Sequence, residues 1–409
     1  MPHFTLILLI SLLNQNRFET TFDFFGERIT ITENYEVIDN ESAFIKTLKT
    51  LVPRTIEEAK GIHTQLNHYA DAMNLDDYGR LFLYIKFIKS IPEENTKTLY
   101  SLPEILMRKK INEPSGIVLL SSLLWLDHRE NIILENESKI LLGIPLTEIT
   151  DLQGYFLDRN NKRYFLKDLS MLPPGELKNN IDLKMGFKIT DFKFKGTPIS
   201  PDFKRGLPLL KEGEKLVRKF GFVFNDQYYR FNAVLDSNLT KFSNLLPADF
   251  LVKTRFGVLE VEKLGLTGQL KEFIKKGNFT HLEKVNFLLS MTSQLFNYSE
   301  SNIKSASKNL IDLANDCDAR STFFASLLIS VLNYSPEDII FLEFPGAEHA
   351  VVGVFIKTAN PAEIEGTYIT YNKKHYWICD TTYLIDGIAR VGILHPDYEG
   401  KEIIIRPLR

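Results

Sequence analysis

The chain predicts an α+β fold, in which helices pack on antiparallel sheet. Three observations carry this expectation. Apolar side chains recur every three to four residues over 41–91 and again from about 265 to 330, the spacing of a buried helix face. Short alternating runs with Gly or Asn at their centres, such as FDFFGERITI, KFGFVFNDQYYRF and NKKHYWIC, read as strands and hairpins. Aromatic residues make up 12% of the chain, mostly Phe and Tyr, which suits sheets with one buried face.

In chain order, residues 4–13 (FTLILLISLL) come first. This apolar run is too short to cross a bilayer but has the length of the core of a secretory signal. No Lys or Arg precedes it and no small-x-small cleavage pattern follows, so a buried first strand or helix is the alternative. The expectation adopted is a signal over 1–16 and export of the mature chain, with no membrane span left in it. Residues 17–95 then read as one or two strands around Gly26 followed by helices, with boundaries at VPRT and LDD. Over 96–170 the pattern gives a helix near TLYSLPEILMRKK, strands at GIVLLSSLLWL and SKILLGIPL, and a hairpin in GYFLDRNNKRYFLKD. Residues 171–262 start rich in Pro, Gly and Lys and continue as strand-like runs, including FLVKTRFGVLEV, which predicts a β-rich linking domain. The helical period returns over 263–316.

A chain of 409 residues with 44% hydrophobic and 25% charged residues supports two or three domains, each with its own core. The formal net charge of −3 and pI near 6.3 give no electrostatic reason to expect nucleic acid or an anionic membrane as partner. The only two cysteines, Cys317 and Cys379, exclude a disulfide framework and zinc-type spacing. His63 and His68 are five apart, which turns them away from a common helix face, and no third ligand accompanies them. No metal or cofactor is expected, and there is no Gly-rich phosphate loop.

Chemistry concentrates in NDCDARSTFFASLL, residues 315–328. Cys317 stands between two aspartates at the start of an apolar run with helical spacing. A helix N-terminus favours the thiolate, the reactive form of cysteine. His349 follows 32 residues later (349 minus 317) in FPGAEHAVVGV, and Asp380 another 31 on (380 minus 349) in HYWICDTTY, each in a strand-like stretch. Such an order and spacing suit a nucleophile, a base and a group that orients the base. On a strand, adjacent side chains alternate, so Cys379 should face away from the side that Asp380 serves. Asp316 and Asp318 read as helix caps whose charges oppose thiolate formation. Arg320 is expected either to hold one of those carboxylates or to make a plain surface pair. Gln294 and Tyr298 are candidate oxyanion donors by sequence proximity alone, beside the Cys317 backbone amide.

These residues resemble the transglutaminase-like branch of the papain-type cysteine acyl transferases, in particular a bacterial group of transglutaminase-like proteins. The resemblance rests on Asp316, Cys317, Asp318 and Arg320, on Phe344, Pro345, Gly346 and His349, and on Asp380, Thr382 and Tyr383, with Phe296 and Tyr298 before the cysteine. It implies a transglutaminase-like catalytic domain over 263–409, with a Cys-bearing helix packed on an antiparallel sheet. It also implies acyl transfer on a peptide or protein amide through a thioester, as peptidase, deamidase or transglutaminase. The alternative is a non-catalytic binding or structural protein that keeps the fold.

One further pattern is internal. NNKRYFLKD (160–168) matches NKKHYWICD (372–380) in character, an interval of 212 residues (380 minus 168). This predicts either a degenerate copy of the C-terminal core over 96–170, with Ile105 where the cysteine would fall and Glu137 where the histidine would fall, or a chance likeness, since a hairpin with an Asn-rich turn is common in any sheet.

Overall fold

A computed structural model describes residues 17–34, 47–96, 98–135, 140–145, 156–159, 162–167, 188–200, 203–301, 303–357 and 364–408. The leader run, Glu137 and Asp168 lie outside these residues. Described residues up to 211 form one compact unit, and those from 212 onward form a second.

The first unit opens with a hairpin of Arg17–Phe24 (β1) and Glu27–Asn34 (β2), turned at Phe25 and Gly26. Both turn residues have positive φ, 50° and 87°, the backbone whose twist matches that of a two-residue hairpin. Among the described residues five helices follow: Leu48–Glu58 (α1), Lys60–Ala72 (α2), Asp77–Lys89 (α3), Leu102–Arg108 (α4) and Glu113–Leu126 (α5). The last three start where a side chain satisfies a free helix amide: Asp76 accepts from Gly79, Ser101 from Glu104, Asn112 from Ser115. Asn131–Glu135 (β3), Ile140–Pro145 (β4), Phe156–Arg159 (β5), Lys162–Lys167 (β6) and Lys188–Phe194 (β7) then form an antiparallel sheet in the order β5-β6-β4-β3-β7.

In the second unit the hairpin is Lys215–Phe224 (β8) with Gln227–Asp236 (β9), turned at Asn225 and Asp226, again both at positive φ. Its helices are Ser237–Leu245 (α6), Phe250–Lys263 (α7), Leu266–Gly277 (α8), His281–Leu295 (α9), Ala306–Asp312 (α10) and Cys317–Leu332 (α11). Two residues before α10 and two after it, Asn297–Tyr298 (β10) and Ala314–Asn315 (β11), pair in parallel. The sheet contains Ile339–Phe344 (β12), His349–Phe355 (β13), Tyr368–Tyr371 (β14), Lys374–Cys379 (β15) and Ile404–Pro407 (β16) in the order β14-β15-β13-β12-β16. Helix α11 packs between α7 and β13. Its Phe323, Phe324, Leu327 and Leu328 are fully buried, each stabilising the unit by roughly 1.5–3 kcal/mol.

The two sheets share one strand order, and the agreement extends to single residues. The N-cap positions of α3, α4 and α5 recur as Thr280, Ser305 and Asp316 before α9, α10 and α11, each 204 residues on (280 minus 76, 305 minus 101, 316 minus 112), with side-chain capping bonds at Thr280 and Asp316. Gln65 brackets Thr32 through its backbone N–H and carbonyl, and Gln269 brackets Asn232 in the same way. Gly143 lies opposite Ile132, and Gly353 opposite Ile340. Register thus places Glu113 at the position of Cys317, since both directly follow the capping residue. The fixed interval of 212 had placed Ile105 there. It misses because the interval lengthens along the chain, from 200 at the hairpin turns (224 minus 24) to 212 at the sheet (378 minus 166).

Glycine at 353 is required by close approach. A Cβ built there would lie 2.7 Å from Ile340 Cγ1, 3.1 Å from its Cδ1 and 3.2 Å from Tyr376 Cβ. Gly353→Ala is therefore expected to destabilise the unit by about 1–3 kcal/mol through overpacking, read as a lower urea midpoint with unchanged slope.

Two segments read as strands from the sequence are helices. GIVLLSSLLWL lies in α5, which is buried nearly all round, so its apolar run has no polar face to reveal a 3.6-residue period. FLVKTRFGVLEV lies in α7, started by Asp249 accepting from the Val252 amide. Residues 212–262, read as part of a linking domain, supply Phe220, Phe222, Phe231, Phe250 and Val261 to the same core as Phe287, Phe323 and Trp377.

Candidate active site

Asp316 starts α11, its Oδ1 accepting from the Ala319 amide at 2.9 Å and its Oδ2 from the Ser301 amide at 3.0 Å. Its carboxylate is committed to the backbone, as a cap should be. Cys317 follows as the first helical residue and is almost fully buried. Across from it, the turn Pro345–Ala347 and Glu348, held at φ 48°, feed the chain into β13, whose first residue is His349.

The sulfur lies against this corner. The Ala350 amide donates to Sγ at 3.4 Å, Glu348 O lies at 3.9 Å and Asp318 Oδ1 at 3.5 Å. Among the described residues these are its hydrogen-bond partners, and the His349 imidazole is not one of them. Burial above all, then the charge of Asp318 and next to it that of Asp316, pushes the thiol up to about 12, partly offset by the Ala350 amide. The resting group is a thiol. Asp318 is raised in turn to about 6, by burial and then by the Asp316 charge.

His349 and Asp380 meet directly. Nε2 of the imidazole donates to Asp380 Oδ2 at 3.2 Å, with both side chains buried. The other carboxylate oxygen accepts from Thr382 N at 2.9 Å, Thr382 Oγ1 at 2.7 Å and Tyr383 N at 3.2 Å. Burial alone would raise the Asp380 carboxyl, but the bond and charge of His349, with the Thr382 bonds, outweigh it and hold the group below its ordinary value. Asp380 is thus an ionised acceptor that fixes the proton of His349 on Nε2 and leaves Nδ1 as the basic nitrogen. Cys379, fully buried, belongs to the core shared with α11, while Ile378 belongs to the cluster on the opposite face. Both cysteines are free.

Arg320 has a role that the sequence did not indicate. It is buried, and donates from Nε to Asn315 O at 3.2 Å, from one terminal nitrogen to Phe296 O at 2.8 Å and from the other to Thr381 O at 3.4 Å. It makes neither a surface pair nor a bond to Asp316 or Asp318. Instead its planar fork ties the segments that carry Tyr298, Cys317 and Asp380 to one another.

Of the two oxyanion candidates, the structure brings only Tyr298 to the site. It pairs with Asn315, two residues before Cys317, and burial raises its hydroxyl. Gln294 is committed elsewhere: Oε1 accepts from Val223 N and Nε2 donates to Val223 O, both at 2.9 Å, so its amide holds the edge of β8. The residue that sequence reasoning missed is Tyr398. Its ring stacks on His349 with centroids 4.0 Å apart and 16° between planes. It comes from a single turn, Pro396–Tyr398, and no spacing in HPDYEG connects it to a histidine far upstream.

Among the described residues, no group of three or more His, Cys, Asp or Glu side chains could hold a metal ion, and no helix is long and apolar enough to cross a membrane. Comparison of the chain with protein-family models, curated proteins and solved structures gave no match.

Proposed function

We propose that the second unit is a transglutaminase-like core that carries out cysteine-dependent acyl transfer on amide bonds. The observation that supports this best is the buried His349–Asp380 pair beside a sulfur held at the N-terminus of α11, against the backbone on either side of His349. In this reading rotation of the Cys317 or His349 side chain brings Sγ to Nδ1, as catalytic bonds often tighten only when substrate is bound. The imidazole takes the thiol proton, and the thiolate attacks the amide carbonyl carbon. The tetrahedral oxyanion meets the Cys317 backbone amide, with the Tyr298 hydroxyl as candidate second donor. The C–N bond then breaks, the imidazolium gives its proton to the leaving amine, and a thioester remains. Water converts it to a carboxylic acid, making the protein a peptidase or deamidase, while an amine converts it to a new amide, making it a transglutaminase. If residues 1–16 direct export, the accessible substrates are extracellular or periplasmic peptide amides.

A second reading has its own observation. The sulfur rests on Asp318, Glu348 and Ala350 rather than on the imidazole, which also suits a binding protein that retains the fold. Alkylation separates the two. With iodoacetamide at neutral pH, the acyl-transfer reading expects Cys317 to label despite its raised thiol, by passing its proton to His349, with a pH profile that His349→Ala abolishes; Cys379 is buried and should label only on unfolding. Peptide hydrolysis and amine incorporation, measured for wild type and Cys317→Ala, then assign the reaction. Slow labelling that ignores His349 favours the binding protein.

A further inference from the structure

The imidazole of His349 is held by two groups, and only one of them belongs to the Cys-His-Asp order. Asp380 Oδ2 accepts from Nε2 at 3.2 Å. The Tyr398 ring covers a face of the imidazole with centroids 4.0 Å apart and planes 16° from parallel, closer than the roughly 4.5–7 Å of most ring pairs. Imidazole ring atoms lie about 1 Å from the ring centre, so turning the ring edge-on would bring them to about 3 Å from the phenol plane, inside the ~3.5–4.0 Å contact distance of carbon atoms. While Tyr398 is in place, the imidazole therefore cannot turn about its Cβ–Cγ bond.

Tyr398 is itself anchored. Its amide donates to His395 O at 3.0 Å, and the Asp397 amide donates to His395 Nδ1 at 3.2 Å. The His395 ring centroid lies 5.5 Å from that of Tyr398 and 4.6 Å from that of Tyr383, whose amide donates to Asp380 Oδ1 at 3.2 Å. Phe344 packs against both stacked rings, 6.0 Å from His349 and 5.6 Å from Tyr398. The turn that carries Tyr398 is thus joined to the segment that carries Asp380, and the two restraints on the imidazole act together. Among the described residues the Tyr398 hydroxyl has no hydrogen-bond partner, so the flat ring is the part that acts. The sulfur is held less firmly. Its contacts, the Ala350 amide at 3.4 Å, Asp318 Oδ1 at 3.5 Å and Glu348 O at 3.9 Å, are those of a weak donor and acceptor.

We propose that Tyr398 is a positioning residue for acyl transfer: its ring, together with Asp380, fixes the plane of the imidazole, so that Cys317 alone turns to bring its proton to Nδ1. The S–H bond breaks as the N–H bond forms, and the electron pair stays on sulfur for attack on the amide carbon. This role rests on the acyl-transfer reading of the site.

Two measurements on the full chain test it, for wild type, Tyr398→Leu and Tyr398→Phe. One is the rate of Cys317 alkylation by iodoacetamide against pH. The other is nuclear relaxation of the isotope-labelled His349 ring, assigned by its loss in His349→Ala. Leucine removes the flat face, so the His349 ring should gain motion and the His349-dependent alkylation rate should fall by about ten- to a hundredfold, the scale of a misplaced reacting group. A side chain that merely covers the site predicts the reverse, since truncation opens the sulfur to reagent. Phenylalanine keeps the face and loses only a hydroxyl without a partner, so it should recover both readouts. Tyr398 lies on a surface turn and is partly exposed, so the variants should melt near wild type; Tyr398→Gln replaces the leucine variant if that one does not. A ring as rigid in the leucine variant as in wild type overturns the proposal, and so does a released ring with an unchanged alkylation profile. Wild-type labelling that ignores His349 removes the acyl-transfer reading and this role with it, an outcome distinct from a His349-dependent wild type that leucine leaves unaltered.

Discussion

Asp380→Asn is expected to lower turnover by roughly three to four orders of magnitude, the scale at which a triad fails when its orienting carboxylate becomes an amide. The substitution keeps the shape of the side chain, and Oδ1 can still accept from Thr382 and Tyr383. What changes is the group facing the imidazole. An amide N–H toward Nε2 requires that nitrogen to accept, which moves the ring proton to Nδ1, the nitrogen that must take the proton of Cys317. The loss should therefore fall on kcat, with KM little changed, and alkylation of Cys317 should lose its dependence on His349. Retention of wild-type turnover would remove Asp380 from the mechanism. Stability supplies a parallel reading. Because the folded carboxyl is held below its ordinary value, its contribution is present at neutral pH and is lost as the pH falls through the folded value. The variant should therefore lose less stability in acid than wild type does.

Asp318→Asn is expected to act in the opposite direction and to make Cys317 more reactive. The Asp318 carboxylate, 3.5 Å from Sγ, follows burial as the largest influence holding the thiol up. Removing a like charge at that distance should raise the alkylation rate at neutral pH by about tenfold or more and move its inflection to lower pH. A second readout checks the cause. Asp318 is raised from 3.8 to about 6 in the folded chain, so the native state holds this proton more tightly than the unfolded chain does. The resulting stabilisation is complete below pH 3.8 and is lost as pH rises through about 6. Wild type should thus melt below Asp318→Asn at pH 7 and converge with it near pH 4. An unchanged alkylation profile would mean that Asp318 does not control the thiol.

How much of this was legible in the chain depends on the range of the interactions involved. Cap and turn signals act over three or four residues, and they located the start of α11 at Cys317, the β14–β15 hairpin and the NDQ turn. Alternation along a strand correctly sent Cys379 into the core, on the face opposite to that of its neighbour Ile378. Periodicity failed where burial is uniform, as in α5, because a helix without a polar face has no period to read. The internal match was visible in one hairpin, yet insertions between matched elements shifted its register, and the structural caps and glycines were needed to put Glu113 opposite Cys317.

The residue types and order of the candidate site, Cys317 then His349 then Asp380, were determined by the sequence alone, since they are a matter of which side chains can do the chemistry and of local strand and helix starts. Their surroundings were decided by tertiary structure. Only packing brings Tyr398 onto the imidazole, commits Gln294 to β8 and turns Arg320 into a buried tie among three carbonyls. The same holds for the charge state of the sulfur. Two aspartates beside a cysteine suggest opposition to the thiolate, but burial in the second unit is the larger influence, and burial is a property that no local stretch of sequence encodes.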